Sequence, residues 1–140
     1  MKVQVLGCSG AIAHGCRTTA FLLDDDVLVD AGTGVGDLPL DVMAGIDHVF
    51  ITHTHLDHIL ALPLLLDTVA DRRSKPLVVY GTEAVLTILR NHIFNWAIWP
   101  DFSEVPTLEK PFMVYRTIVP GEEVEIQGRV ITALPVDHTV

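Results

Sequence analysis

The sequence has few cysteines and lacks an apolar run long enough to cross a membrane. Its 140 residues include two cysteines, Cys8 and Cys16, a pair that matches neither a disulfide framework nor the close Cys-x-x-Cys pairs of zinc knuckles. The longest apolar stretch, residues 59–66, contains Pro63 and is much shorter than the roughly 20 residues of a transmembrane helix. The first residues predict a strand rather than a signal peptide. We therefore expect reduced cysteines, no membrane partner and a cytoplasmic protein.

Positive charge is also scarce. Lys and Arg number 9 against 18 Asp and Glu, which gives a formal net charge of −9. This excess of negative charge repels nucleic-acid phosphates, so we expect no nucleic-acid partner. A small anionic substrate stays compatible with the charge if a bound metal ion supplies local positive charge.

Short β-rich segments alternate with helical ones along the chain. The apolar share of 49% allows one ordinary core, and we treat residues 1–140 as a single domain. The alternation predicts an α/β protein with a mixed sheet rather than a bundle or a sandwich. We expect strands at 2–7, 19–23, 27–32, 46–52 and 75–81, helices at 38–44, 62–72 and 82–94, and three strands in the tail that begins at residue 113.

Four potential metal ligands lie within six residues. The segment "FITHTHLDHI" (50–59) contains His53, His55, Asp57 and His58 in the pattern H-x-H-x-D-H. In an extended segment, residues two apart point to the same side, so the imidazoles of His53 and His55 can converge on one cation. Asp57 and His58 follow where the chain bends toward the next helix, and they can serve a second cation nearby. The alternative is a cluster of polar side chains on an exposed loop, which a position directly after a buried strand disfavours.

This ligand chemistry indicates hydrolysis. Imidazole and carboxylate ligands suit zinc first, and manganese or iron are also compatible. Two divalent ions about 3.5 to 4 Å apart can lower the pKa of a shared water and stabilise the entering and leaving oxygens of a phosphate ester. We therefore predict a binuclear metallohydrolase with two divalent ions, zinc being the first choice. No Ser or Cys has the setting of a nucleophile, so covalent catalysis is not expected.

The same segments resemble a known family. "THTHLDHILALPLLLD" is similar to the metal-binding signature of the metallo-β-lactamase superfamily, and its "HLDHI" form resembles the class II cyclic-nucleotide phosphodiesterases. "VLGCSG", "RTTAFLLDDDVLVDAGTGVGDL", "IDHVFITHTHLDHI" and "HIFNWAIWPDF" together resemble the bacterial branch of that family. The resemblance implies a metallo-β-lactamase-like αβ/βα sandwich. This chain would form its N-terminal half to two-thirds, so the domain would be incomplete at its C-terminus.

The resemblance also implies a ligand set. His53 and His55 would bind the first metal together with His138, in "LPVDHTV". Asp57 and His58 would bind the second metal. A bridging aspartate and a last histidine would come from further along the chain, after residue 140.

A reaction and a supporting residue follow from the resemblance as well. A bridging hydroxide would open cAMP or cGMP to the 5′-nucleotide, and Asp57 would hold that hydroxide in orientation. Asp30, in "VDAG", would lie behind the metal loop and hydrogen-bond it. Its alternative role is that of an ordinary strand-end Asp that bonds turn amides.

Other functions fit the same cluster. An RNA 3′-processing phosphodiesterase, a thioesterase or a lactonase could use the same metal site. A non-catalytic half-fold that forms a homodimer through its exposed sheet face is a hypothesis of a different class.

Two further features have alternative interpretations. The aromatic side chains between residues 92 and 99 could stack on a nucleobase, but Trp96 and Trp99 more simply predict a satellite core or a subunit interface. Arg17 could pair with a substrate phosphate or be an ordinary solvated side chain.

Overall fold

A six-stranded mixed sheet forms the centre of the protein. The computed structural model describes residues 1–136, so the sequence prediction for His138 lies outside the described residues. The sheet has the order β1-β2-β3-β4-β5-β8. Its strands are β1 (Val3–Gly7), β2 (Ala20–Leu23), β3 (Val27–Val29), β4 (His48–Phe50), β5 (Leu77–Gly81) and β8 (Met113–Thr117). The mixed α/β architecture predicted from the sequence is confirmed.

The direction of the strands places the histidine cluster. Strands β1 and β2 pair antiparallel, as do β2 and β3, whereas β3, β4, β5 and β8 form parallel pairs. The carboxyl ends of β3 and β4 therefore meet at one edge of the sheet. Asp30 follows β3 and the segment 51–58 follows β4, so residues far apart in sequence become neighbours there.

Helices cover one face of this sheet. They are α1 (Leu40–Gly45), α2 (Leu56–Ile59), α3 (Ala61–Val69) and α4 (Glu83–Ile88), with 3₁₀ turns at Thr33–Asp37 and Ala70–Arg72 and a π-helical turn at Leu89–Ile93. Leu62, Leu65, Leu66 and Val69 of α3 are buried, and their spacing gives the helix one apolar face toward the sheet. No helix within residues 1–136 combines the length and the apolar character needed to span a bilayer.

A hairpin packs on the opposite face. It consists of β9 (Glu123–Ile126) and β10 (Arg129–Thr132), and Ile126 is buried against Phe50 and Tyr80. The two nitrogens Nη1 and Nη2 of Arg129 donate to the carboxylate oxygens of Asp26 at 2.7 and 2.6 Å. This two-point ion pair fixes the hairpin to the turn before β3. Two short strands, β6 (Pro106–Thr107) and β7 (Lys110–Pro111), form a separate ribbon.

Two predicted strands are shorter than expected. The strands expected at 27–32 and 46–52 are only three residues long, Val27–Val29 and His48–Phe50. The first ends because Asp30 adopts a left-handed backbone conformation with φ 57°. The second ends because the N–H of Thr52 bonds the side chain of Asp30 instead of a neighbouring strand. Both strands therefore end at the place where Asp30 contacts Thr52.

Candidate functional site

A cleft of about 850 Å³ lies at the carboxyl edge of the sheet. One wall is polar and the other is apolar. The polar wall includes Asp30, Thr52, His53, His55, Asp57 and His58, and the apolar wall includes Phe50, Ile118, Ile131, Leu134 and Val136. The structure thus brings together the five described side chains that the sequence predicted as site residues.

The two histidines after β4 form the first donor pair. His53 and His55 are separated by one residue in an extended segment, and their rings meet edge to face with centroids 4.7 Å apart. Nε2 of His53 lies 3.2 Å from Nδ1 of His55. Two nitrogens that bind one tetrahedral zinc ion at about 2.0 to 2.1 Å are about 3.3 Å apart. The spacing of this pair therefore fits a shared cation.

Asp57 and His58 form the second pair, on the first turn of α2. Oδ2 of Asp57 lies 3.4 Å from Nε2 of His58, a spacing that suits two ligands of one cation as well. The rings of His53 and His58 have centroids 4.1 Å apart, so the two pairs are adjacent. The bend at His55, whose carbonyl accepts the N–H of His58 at 2.9 Å, turns the chain from the first pair to the second.

Asp30 holds the second pair from behind. Its carboxylate is 2% exposed and accepts the backbone N–H of Thr52 at 2.8 Å, the hydroxyl of Thr52 at 2.8 Å and Nδ1 of His58 at 2.7 Å. An ionised carboxylate only accepts hydrogen bonds, so Nδ1 of His58 carries the proton in this contact. In the neutral imidazole, Nε2 of His58 then has the free lone pair that a metal ligand needs, and this nitrogen faces Asp57.

Hydrogen bonds from behind also orient the first pair. The hydroxyl of Thr52 donates its single hydrogen to Asp30, and Nδ1 of His53 lies 3.0 Å from that hydroxyl oxygen. His53 is therefore the donor in this contact, which leaves Nε2 of His53 as the nitrogen directed at His55. Asp30 and Thr52 together set the orientation of imidazoles in both pairs.

The described residues supply pairs of ligands rather than complete metal sites. Among residues 1–136, no group of three or more His, Cys, Asp or Glu side chains meets at one point in a way that would hold a metal ion. The third ligand that the sequence predicted for the first metal, His138, lies outside this range. Each pair fits a cation by donor type and spacing, and each would need further ligands.

The charge of the cleft also suits cations. Its lining contains two carboxylates and three imidazoles, and no Lys or Arg within residues 1–136 lines it. Arg17, considered as a phosphate partner, is instead paired with Asp37, with its Nε 2.7 Å from the carboxylate. Within the described residues, positive charge for an anionic substrate would therefore come from bound cations.

The aromatic segment lies elsewhere. Phe94 is buried and Trp99 packs on the main core, so Trp99 belongs to the main core rather than to the satellite core that the sequence predicted. Trp96 is 60% exposed and donates its indole N–H to Glu104 at 3.1 Å. None of these described side chains lines the cleft.

Sequence reasoning did not identify the apolar wall. Ile118 follows β8 and Ile131 lies in β10, so both come at least 60 residues after the histidine cluster. Their alternating pattern is that of any strand, so it carried no signal that these residues face a functional site.

Comparisons with known proteins identify the family of the chain. A family model described as class-II cAMP phosphodiesterases matches residues 39–127. The chain is 30% identical over 125 residues to a 3′,5′-cyclic-nucleotide phosphodiesterase of Aliivibrio fischeri, with 69% of this chain and 36% of the relative covered. It is 28% identical over 150 residues to a ribonuclease Z of Clostridium acetobutylicum, with 100% of this chain and 47% of the relative covered. The chain thus spans less than half the length of these relatives.

Solved structures show the same fold. The unliganded yeast PDE1 structure has a TM-score of 0.72 at 18% identity, covering 89% of this chain and 52% of that one. The metallo-β-lactamase fold protein YhfI of Bacillus subtilis has a TM-score of 0.71 at 22% identity, covering 99% and 55%. The predicted metallo-β-lactamase fold is confirmed, and the chain corresponds to about half of each neighbour.

Proposed function

Because the chain belongs to the class-II cAMP phosphodiesterase family, we propose that its cleft is part of the active site of a metal-dependent phosphodiesterase that hydrolyses 3′,5′-cyclic nucleotides to 5′-nucleotides. The observation that carries the proposal is the pairing of donor atoms. His53 with His55 and Asp57 with His58 each present two ligand atoms 3.2 to 3.4 Å apart on one wall of the cleft.

The proposal assigns a role to each of these residues. His53 and His55, with the predicted ligand His138, would hold one divalent ion, and Asp57 and His58 would hold the other. Such ions would supply Lewis-acid charge to the phosphate and activate water for attack. Zinc is the first choice for this donor set, and manganese or iron are also compatible.

The residues of the chain itself would position the reaction. The carboxylate of Asp57 lines the cleft beside His58, where it would accept a hydrogen bond from the attacking water and keep that water in line with the scissile bond. Asp30 and Thr52 would prevent the imidazoles from turning away during turnover. The apolar wall formed by Ile118 and Ile131 would exclude bulk water and contact the base of the nucleotide.

Ribonuclease Z activity is the second candidate, because proteins of that name are among the relatives. Two observations argue against it for this chain. The net charge is −9, and no Lys or Arg within residues 1–136 lines the cleft, whereas an RNA partner needs cationic contacts to its phosphates. A small substrate with a single phosphate does not need a row of cationic side chains.

Parallel assays would test the proposal. The purified protein, supplied with Zn²⁺ or Mn²⁺, is incubated with cAMP, cGMP, bis(p-nitrophenyl) phosphate, a precursor tRNA and a thioester. We expect turnover of a cyclic nucleotide that chelation abolishes and added metal restores. Cleavage of the precursor tRNA without turnover of cAMP or cGMP would contradict the proposal and favour the ribonuclease, and cleavage of the thioester alone would indicate a thioesterase.

A further inference from the structure

The loop that carries Asp30 is held by a pair of threonines remote from the motif. The backbone N–H of Thr18 donates to the hydroxyl oxygen of Thr33 at 3.0 Å, and the backbone N–H of Thr33 donates to the hydroxyl oxygen of Thr18 at 2.9 Å. Thr18 is 3% exposed, so its N–H has no access to water in place of this bond. We refer to these reciprocal bonds as the threonine clamp.

Close packing reinforces the clamp. Gly32 lies between Asp30 and Thr33, and its N–H donates to the carbonyl of Thr19 at 2.9 Å. A Cβ atom at Gly32 would lie 2.5 Å from the backbone and hydroxyl of Thr18, which real side chains do not tolerate. The chain segments 18–19 and 32–33 are therefore in direct backbone contact, and the position of one determines the position of the other.

The clamped loop makes two contacts to His58. Asp30, at one end, accepts Nδ1 of His58 at 2.7 Å. Ala31, the next residue, donates its N–H to the backbone carbonyl of His58 at 2.6 Å and accepts the N–H of Ala61 at 2.8 Å. The loop thus holds both the main chain and the side chain of His58.

Asp30 needs this support because of its own backbone. Its φ of 57° lies in the left-handed region, which non-glycine residues avoid unless surrounding contacts impose it. The clamp lies three residues further along and supplies such contacts through Gly32 and Thr33. Without them, the segment after β3 would relax toward a β conformation and withdraw its carboxylate from His58.

We propose that Thr18 and Thr33 are positioning residues whose reciprocal hydrogen bonds keep His58 in the orientation and tautomer that direct Nε2 into the cleft. The structural part of this inference is independent of substrate, and its consequence for catalysis rests on the proposed function.

The test compares Thr33→Val with Thr33→Ser and Thr68→Val in the full chain. Valine keeps the shape of the side chain and removes the acceptor for the N–H of Thr18, and serine restores that acceptor. Thr68 is the matched control, because its hydroxyl donates to the carbonyl of Leu64 on an exposed helix face. Side-chain ¹⁵N spectra of metal-free protein report the tautomer of His58. We expect the Nδ1-protonated form in wild type, Thr33→Ser and Thr68→Val, and a tautomer mixture in Thr33→Val.

Amide hydrogen exchange separates local loosening from general destabilisation. In Thr33→Val, the amide of Ala31 should exchange about tenfold or more faster, whereas the amide of Val79 in the sheet centre should be unchanged. Titration with Mn²⁺ alone should show binding about 10- to 100-fold weaker than in wild type, the usual effect of disturbing the residues behind a metal ligand.

Two results in Thr33→Val would overturn the proposal. One is an unchanged His58 tautomer together with unchanged hydrogen exchange at Ala31. The other is an equal acceleration of hydrogen exchange at Ala31 and Val79. If Thr33→Val does not fold, hydrogen exchange in the wild-type protein tests the proposal instead. The amides of Thr18, Ala31 and Thr33 should then open together. Independent opening of these amides would contradict the clamp. A shifted tautomer in a protein that does not cleave cyclic nucleotides would refute the proposed function alone.

Discussion

The two edges of the parallel strands use acidic residues in opposite ways. At the amino edge, Asp26 pairs with Arg129 through two bonds of 2.6 and 2.7 Å, and Asp47 pairs with Arg73 at 2.8 Å. At the carboxyl edge, Asp30 pairs with the imidazole of His58.

The two edges differ in whether the side chain paired with the Asp has an atom left to bind a ligand. A guanidinium has only donors and is always charged, so an Asp paired with Arg forms a closed unit. An imidazole that donates from one nitrogen keeps a lone pair on the other. The amino edge is therefore built for structure, and the carboxyl edge leaves ligand atoms directed at a cleft.

Removal of Asp57 should give the largest effect. We expect Asp57→Ala to keep the fold, because the Asp57 side chain is 29% exposed on the first turn of α2 and lies outside the apolar core. The change should lower turnover of cAMP by about 100- to 1000-fold, as when one oriented charge-stabilising group is lost. Steady-state kinetics and metal content per chain would measure this. Asp67→Ala, on the exposed face of α3, is the matched control. Near-normal turnover with full metal content would remove Asp57 from the mechanism.

Removal of Arg73 tests the opposite edge. Its side chain is 4% exposed and donates to the carbonyls of Ala44 and Ile46, both at 2.6 Å, and to Asp47. Arg73→Met would remove the Arg73 donors from the two carbonyls and leave Asp47 with Lys75 as its remaining ion-pair partner, so the free energy of unfolding should fall by about 2 kcal/mol. Urea denaturation measures this loss.

The neighbouring exposed residue provides the control for that change. Arg72→Met should alter the unfolding free energy by less than about 0.5 kcal/mol. Binding of Mn²⁺ by folded Arg73→Met should equal that of wild type. A large loss of metal affinity would show that the two edges are not independent.

A matched pair of substitutions compares the edges directly. Asp30→Asn should weaken metal binding by about 10- to 100-fold, because an amide cannot accept from Thr52 and His58 as a carboxylate does. Asp26→Asn should leave metal binding unchanged and lower stability instead, since it weakens the pair with Arg129. Calorimetric titration with Zn²⁺ or Mn²⁺ measures both, and equal affinities in the two variants would contradict the distinction.

The smallest effect concerns pH. Burial lowers the pKa of His48, whose Nδ1 lies 3.1 Å from the hydroxyl of Tyr80. The unfolded chain therefore binds a proton at His48 below about pH 6.5 while the folded chain resists it, so stability falls as the pH drops from about 7 toward the lower folded pKa.

A substitution at His48 isolates this contribution. His48→Gln should make the decline in unfolding free energy between pH 7 and pH 5 shallower, and His92→Gln, which replaces an exposed imidazole, should leave it as in wild type. Urea denaturation at several pH values checks the prediction. An unchanged slope in His48→Gln would assign the decline to other groups.

The sequence predicted those parts of the site that are local. His53, His55, Asp57 and His58 lie within six residues, so periodicity alone indicated which side chains could converge. The mixed sheet followed from alternating strands and helices.

Parts of the site that depend on long-range contacts were not predictable. The threonine clamp joins residues 15 apart and the Arg129–Asp26 pair joins residues 103 apart, and neither leaves a periodic pattern. The early end of β3 at Asp30 was also missed, because side-chain hydrogen bonding there overrides the strand propensity of the segment.

The Arg129–Asp26 bond has a consequence for the order of folding. It joins residues 103 apart in the sequence. Contacts of such long sequence separation form slowly, because the chain loses the conformational entropy of loop closure before the contact stabilises it. During synthesis, the first strands and the histidine cluster leave the ribosome well before β10 does. We therefore expect the nascent chain to assemble its ligand pairs early and to acquire the apolar side of its cleft last.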